Sequence, residues 1–204
     1  MKKDLFIILF WGSLWGLAEA TLGFVLHLVA IALPGVPGFF MFPIAFYFMK
    51  KVYDSTGKAA SVFYIAIVAA SIKMVDFLLP LADPIRIVNP ALSIILEGLV
   101  VGLVFHYCVS RRINLAYIHT LLMGIFWRSI FLVHLFVISL YDLPAALVTD
   151  GIEYTLRFLI LESFVNSLLI YAYLRLEKDK PTLKVRPAYS LGVLILALGA
   201  QLML

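Results

Sequence analysis

Apolar residues gather along this chain into seven runs, at about 4–30, 38–49, 59–80, 88–110, 114–141, 150–174 and 187–203. About 20 apolar residues cross a bilayer as a helix, and only helices or closed barrels satisfy the backbone in lipid. These runs are too long and too continuous for barrel strands. The pattern therefore predicts an all-α, polytopic integral membrane bundle. Residues 1–176 would form six core transmembrane helices, 177–186 a cytoplasmic basic loop, and 187–204 an additional seventh transmembrane helix. The second run is short and contains Pro43 after Pro34-Gly35-Val36-Pro37-Gly38, so a re-entrant or broken segment is expected there.

Within this frame the polar residues set orientation. Lys2, Lys3, Lys50, Lys51, Lys58, Arg111, Arg112, Arg175, Lys178, Lys180, Lys184 and Arg186 fall on one side, and Arg86 alone sits in a loop on the other. The excess marks the cytoplasmic side, which puts the N-terminus inside and, after seven spans, the C-terminus outside. Lys2-Lys3, an apolar run and Ala18-Glu19-Ala20 imitate a secretory signal, but the run continues past that point, and an uncleaved first helix is expected.

Composition agrees: 64% of residues are hydrophobic and 14% charged, against about 45–50% and 25% in soluble chains. The net charge of +4 follows from the basic helix ends and is a topology signal, not a nucleic-acid footprint. The single cysteine, Cys108, can form no internal disulfide and is assigned to packing.

The first run carries a carboxylate, Glu19, near its middle. At 100° per residue Gly12, Gly16, Glu19, Gly23 and His27 share one stripe, so the acid lies where another helix can approach closely. Counting from helix ends places Glu19, Glu97, Arg128 and Glu162 near mid-membrane. Lys73, Asp76, His27, His134, Glu153 and Arg157 then lie in the outer half, and His106 and His119 in the inner half. An ionisable group inside a span usually faces the bundle interior and is a functional hypothesis by default.

Two readings follow. In the structural one, Lys73 pairs with Glu97 and Arg128 with Glu162, while Lys73–Asp76 and Glu153–Arg157 pair along their own helices. In the functional one, a polar cavity opens outward, floored by Glu19, Glu97, Arg128 and Glu162 and walled by His27, Asp76 and His134. Three deep acids against one base make Glu19 the first binding candidate. Trp15 and Trp127, with Trp11, lie too deep for an interfacial belt; they either stack on a ring-shaped ligand or pack the core. No metal-ligand spacing, phosphate loop or nucleophile motif is present, so no metal site, cofactor or catalytic residue is assigned.

The chain also echoes itself. Glu97-Gly98 with Gly102 lines up with Glu162-Ser163 with Ser167, and each follows a helix bearing one deep cation, Lys73 or Arg128. A repeat of helical hairpins, 59–110 and 114–174, is plausible in a transporter.

Gly12-Ser13-Leu14-Trp15-Gly16, Gly16-Leu17-Ala18-Glu19-Ala20 and the turn Ser55-Thr56-Gly57-Lys58-Ala59-Ala60 resemble features of the substrate-binding S components of energy-coupling-factor vitamin transporters. The resemblance covers residues 1–176 in layout; the seventh run is a departure, and no motif typical of one vitamin is found. It implies high-affinity capture of a small molecule from outside by a subunit that hydrolyses nothing itself. ATPases and a transmembrane coupling subunit would be partners, the latter docking on the Gly12, Gly16, Ala20 face. Two rivals use the same buried acids: an intramembrane enzyme acting on a lipid or isoprenoid, and a small proton-coupled carrier.

Overall fold

The computed structural model describes residues 2–31, 35–80, 83–177 and 185–203. Pro34 of the proline–glycine run, and Lys178, Lys180 and Lys184 with most of the expected basic loop, lie outside the described residues. Among these the chain is helical and contains no strand. The helices are α1 Lys2–Ala18, α2 Phe24–Ala30, α3 Val36–Thr56, α4 Ala59–Lys73, α5 Pro84–Arg111, α6 Tyr117–Ser139, α7 Ala146–Thr149, α8 Ile152–Leu156, α9 Glu162–Leu176 and α10 Pro187–Met203. Two of the joints are wide π-type turns: Glu19–Gly23 links α1 to α2, and Arg157–Leu161 links α8 to α9.

Five helical stretches are long and apolar enough to cross a membrane: Lys3–Ala30, Ala59–Leu78, Pro84–Ser110, Tyr117–Ser139 and Ile152–Leu176. Their outer faces carry large apolar side chains such as Leu103, Val133, Phe136 and Ile160. α10 is apolar but shorter, with 17 residues.

The second run differs from expectation. It is not broken but one helix of 21 residues, which at 1.5 Å per residue is about 31 Å long. Gly35, at φ 91°, starts it, and Gly57, at φ 67°, ends it. Both need the left-handed conformation that glycine adopts without strain. Pro43 sits inside the helix and removes one backbone donor.

Small residues decide which helices touch. α4 lies between α1 and α5. A Cβ on Gly12 would fall 2.6 Å from Val68 Cβ, and one on Gly16 would fall 2.6 Å from Ile72 Cδ1. Gly98 is pressed against Ala66 from the other side, and Gly102 faces the Ala59 carbonyl. The Gly12, Gly16, Ala20 face is therefore not a free docking surface: the two glycines are used against α4, and Ala20 is buried. The second hairpin repeats the device, with Gly124 of α6 against Ser163 of α9 and Thr120 Oγ1 donating to Ser167 O at 3.4 Å.

Polar contacts fix helix directions. Lys58 Nζ meets Asp4 at 2.6 Å where α4 and α1 begin, so these two run parallel. Ser190 Oγ donates to Phe6 O at 2.8 Å and Gln201 Nε2 to Asp76 Oδ1 at 2.7 Å, which lays α10 parallel to both. Lys51 pairs with Glu177 where α3 and α9 end. The basic helix ends thus gather at one end of the bundle.

Candidate functional site

Pro43 is where the site begins. Its missing N–H frees the carbonyl four residues earlier, Phe39 O, which accepts from Asn166 Nδ2 at 2.7 Å. The neighbouring Gly38 O accepts from Arg128 Nη2 at 3.1 Å. Asn166 Oδ1 in turn accepts from the same Nη2 at 2.7 Å. Two side chains from α6 and α9 thus grip the opened turn of α3. Such buried backbone groups need partners, and these are they.

Arg128 is wholly buried. Its Nη1 reaches Gly124 O and Ser163 Oγ, both at 3.5 Å, and its guanidinium lies 4.5 Å from the Trp127 ring and 5.1 Å from the Phe158 ring. Glu162 supplies the counter-charge, with Oε2 3.7 Å from Arg128 Nη2. Arg157 Nε stands 3.7 Å from Glu162 Oε1. Both separations permit charge attraction and exceed hydrogen-bond length, and Glu162 Oε2 is buried without a hydrogen-bond donor among the described residues. Gly38 makes this possible: a Cβ there would occupy the space of the Glu162 carboxylate. Gly35 does the same for Arg157, whose Cζ would lie 2.7 Å from a Cβ.

Above Glu162, at the end of the bundle away from the basic residues, opens a recess of about 250 Å³ lined by His27, Ala30, Gly35, Pro37, Gly38, Leu147, Arg157, Phe158 and Glu162. Both π-type turns border deep acids, Glu19 opening the first and Glu162 following the second. Such turns are frequent at functional sites. His27 Nδ1 lies 2.7 Å from Gly23 O inside the first turn.

The deep charged residues expected in the sequence converge. Glu97 lies within electrostatic reach of Glu19 and of Arg128, and Arg128 within reach of Glu97 and Glu162. Glu19 Oε1 accepts from Trp15 Nε1 at 2.9 Å, and Glu97 Oε2 is buried without a hydrogen-bond partner among the described residues.

Other assignments change. Lys73 pairs with Asp76, at 2.8 Å, and not with Glu97; the other Asp76 oxygen is taken by Gln201, so Asp76 ties α4 to α10 and does not line this recess. His134 also lies outside its lining, with Nε2 3.0 Å from Asn89 Oδ1. Glu153 is exposed, and Arg157 turns to Glu162. Trp15 and Trp127 are enclosed in the core and offer the recess no face. Asn166 belongs to this site without any motif to mark it; its one signal in the sequence is an amide inside an apolar run of a chain that also holds a mid-helix proline. Among the described residues no cluster of His, Cys, Asp and Glu could hold a metal.

Comparison of the chain with protein-family models, with curated proteins and with solved structures finds no match.

Proposed function

We propose that this chain is a membrane-embedded binding protein for a small polar molecule, taken from the outer side into the recess between His27, Gly38, Leu147, Phe158 and Glu162. Its helices α3 and α10 would cross the bilayer together with the five long apolar stretches, giving seven spans with the basic end in the cytoplasm. The observation that carries the reading is the recess itself: it opens at the end opposite the basic residues and is floored by a carboxylate held against a buried guanidinium. A small site lined by apolar walls and a few convergent polar groups is what a binding pocket requires. In the form implied by the resemblance to S components, energy comes from separate ATPases through a coupling subunit. That subunit would dock elsewhere than on the Gly12–Gly16 stripe, which α4 covers.

The test is native mass spectrometry of the full chain purified gently from membranes, beside a Leu147→Trp variant that fills the recess. A solute of defined mass should accompany the first and be lost from the second. Reconstituted alone, the chain should bind that solute without moving it. Uptake by the chain alone that collapses with the proton gradient would make it a carrier instead, and a chemically altered solute would make it an enzyme.

A further inference from the structure

We infer that the basic end of the bundle is a binding surface for the phosphate groups of anionic phospholipids, held by Arg111, Arg112, Arg175 and Arg186. The inference rests on α5, α9 and α10 crossing the bilayer, as proposed above, and is independent of what the recess binds. Packing brings the four arginines to one end. α5 runs against α4, with Gly98 at Ala66 and Gly102 at the Ala59 carbonyl, so it ends where α4 begins. α9 ends beside α3 through Glu177 and Lys51, and α10 begins beside Phe6 of α1.

Lysines and arginines are used differently there. The acids at this end among the described residues are Asp4, Asp54 and Glu177, and each meets a lysine: Lys58 at 2.6 Å, Lys50 at 2.6 Å, and Lys51. The four arginines are exposed and form no ion pair among the described residues. Lys2 and Lys3 add further positive charge at the start of α1. In the sequence beyond Glu177, Lys178, Lys180 and Lys184 stand against Asp179 alone, so that stretch raises the excess as well.

Helix polarity does not explain the placement. A cation is favoured at a helix C-terminus and disfavoured at an N-terminus. Arg111, Arg112 and Arg175 stand where helices end, but Arg186 stands directly before α10 begins. What the four share is a boundary with apolar surface: Tyr107 and Val109, Leu176, and Tyr189 are exposed beside them. Arg111 lies over the Tyr107 ring at 6.0 Å. Arg175 lies over the Tyr171 ring at 5.1 Å, and its Nε and Nη2 donate to Tyr171 Oη at 2.9 and 2.6 Å. Tyrosine at such a boundary sits at headgroup level, and the guanidinium fork matches a phosphate. Arg112 holds φ 54°, a left-handed conformation that glycine adopts more easily, yet its side chain meets no ring or acid among the described residues. A backbone held in that region for the sake of an outward guanidinium points to a partner outside the chain.

The experiment is native mass spectrometry of the full chain from mixed micelles holding equal amounts of phosphatidylglycerol and phosphatidylcholine with the same acyl chains. The chain should retain phosphatidylglycerol in preference, and the preference should shrink as salt rises. Arg112→Gly keeps the left-handed turn without strain; it should weaken phosphatidylglycerol binding about fivefold with no loss of melting temperature. Replacing all four arginines, with Arg111→Gln, Arg175→Gln and Arg186→Gln added to Arg112→Gly, should remove the preference. Lys50→Gln with Asp54→Asn deletes an ion pair at no change in net charge and should leave the preference intact. Sodium phosphate should displace the lipid no more than sodium chloride of equal ionic strength. A preference that survives the fourfold variant, or that is lost with Lys50 and Asp54, overturns the inference. Displacement specific to phosphate also overturns it, making this a site for a soluble phosphate. So does an Arg112→Gly chain that melts lower and binds lipid as before, which would assign the arginine to the helix end. None of these outcomes bears on the recess, which Leu147→Trp tests separately.

Discussion

At the scale of single residues, the centre of this molecule is a guanidinium that does several jobs. Arg128 answers the charge of Glu162, supports a helix turn opened by Pro43 and packs its flat faces on aromatic rings. Removing one partner of a buried pair leaves an uncompensated charge. Arg128→Met is therefore expected to lose about 3–5 kcal/mol, read by unfolding in mixed micelles. Arg128→Lys should not restore the loss, because an ammonium cannot reproduce the planar fork that serves Gly38, Asn166 and Glu162 together. Asn166→Leu should lose about 1–2 kcal/mol by orphaning Phe39 O and one Arg128 donor. Pro43→Ala restores an N–H for Phe39 O, so in the double variant part of the Asn166 loss should return. A purely additive cycle would show that Asn166 does not serve the proline turn.

Elements meet through their small residues. α4 is gripped from both sides by glycines, and a methyl group on Gly16 would enter the space of Ile72. Gly16→Ala is expected to cost about 1–3 kcal/mol, and Ile72→Val in the same chain should recover part of it. Recovery would confirm packing within the bundle; an unchanged stability with lost association to another subunit would return the stripe to a docking role. The basic ends of α3 and α9 are held by a different device. Burial pushes the Glu177 carboxyl up, but hydrogen bonds from Lys51 and Tyr173, with the charges of Lys50 and Lys51, hold it below its ordinary 4.5. A carboxyl depressed in the folded state contributes stability that is present above its unfolded value and lost as pH falls through the folded one. The chain should therefore lose stability as pH drops below about 4.5, and Glu177→Gln should flatten that part of the profile.

At the scale of the whole molecule, basic residues mark one end and the recess the other. In a Cys108→Ala background, Arg86→Cys should react with an impermeant maleimide on intact cells and Arg112→Cys only after permeabilisation. The reverse pattern would turn the recess to the cytoplasm and remove capture from outside.

The sequence by itself determined that this chain is helical, with runs long and apolar enough to cross a membrane, because apolar runs that long have no other stable arrangement in lipid. It also singled out Glu19, Glu97, Arg128 and Glu162, since a charge inside a span is visible without a structure. It did not determine which charges meet. Lys73 had two acids within plausible reach, and the choice of Asp76 over Glu97 follows from how α4 ends and where α10 lies. The glycine stripe had two candidate partners, another subunit or another helix, and spacing is the same for both. Pro43 suggested a broken segment because proline costs a helix its hydrogen bond; tertiary structure decided otherwise by bringing Asn166 to the freed Phe39 carbonyl and Arg128 to its neighbour, Gly38 O. Periodicity reports each helix alone, whereas a pair, a seam or a recess belongs to two or three helices whose approach only packing sets.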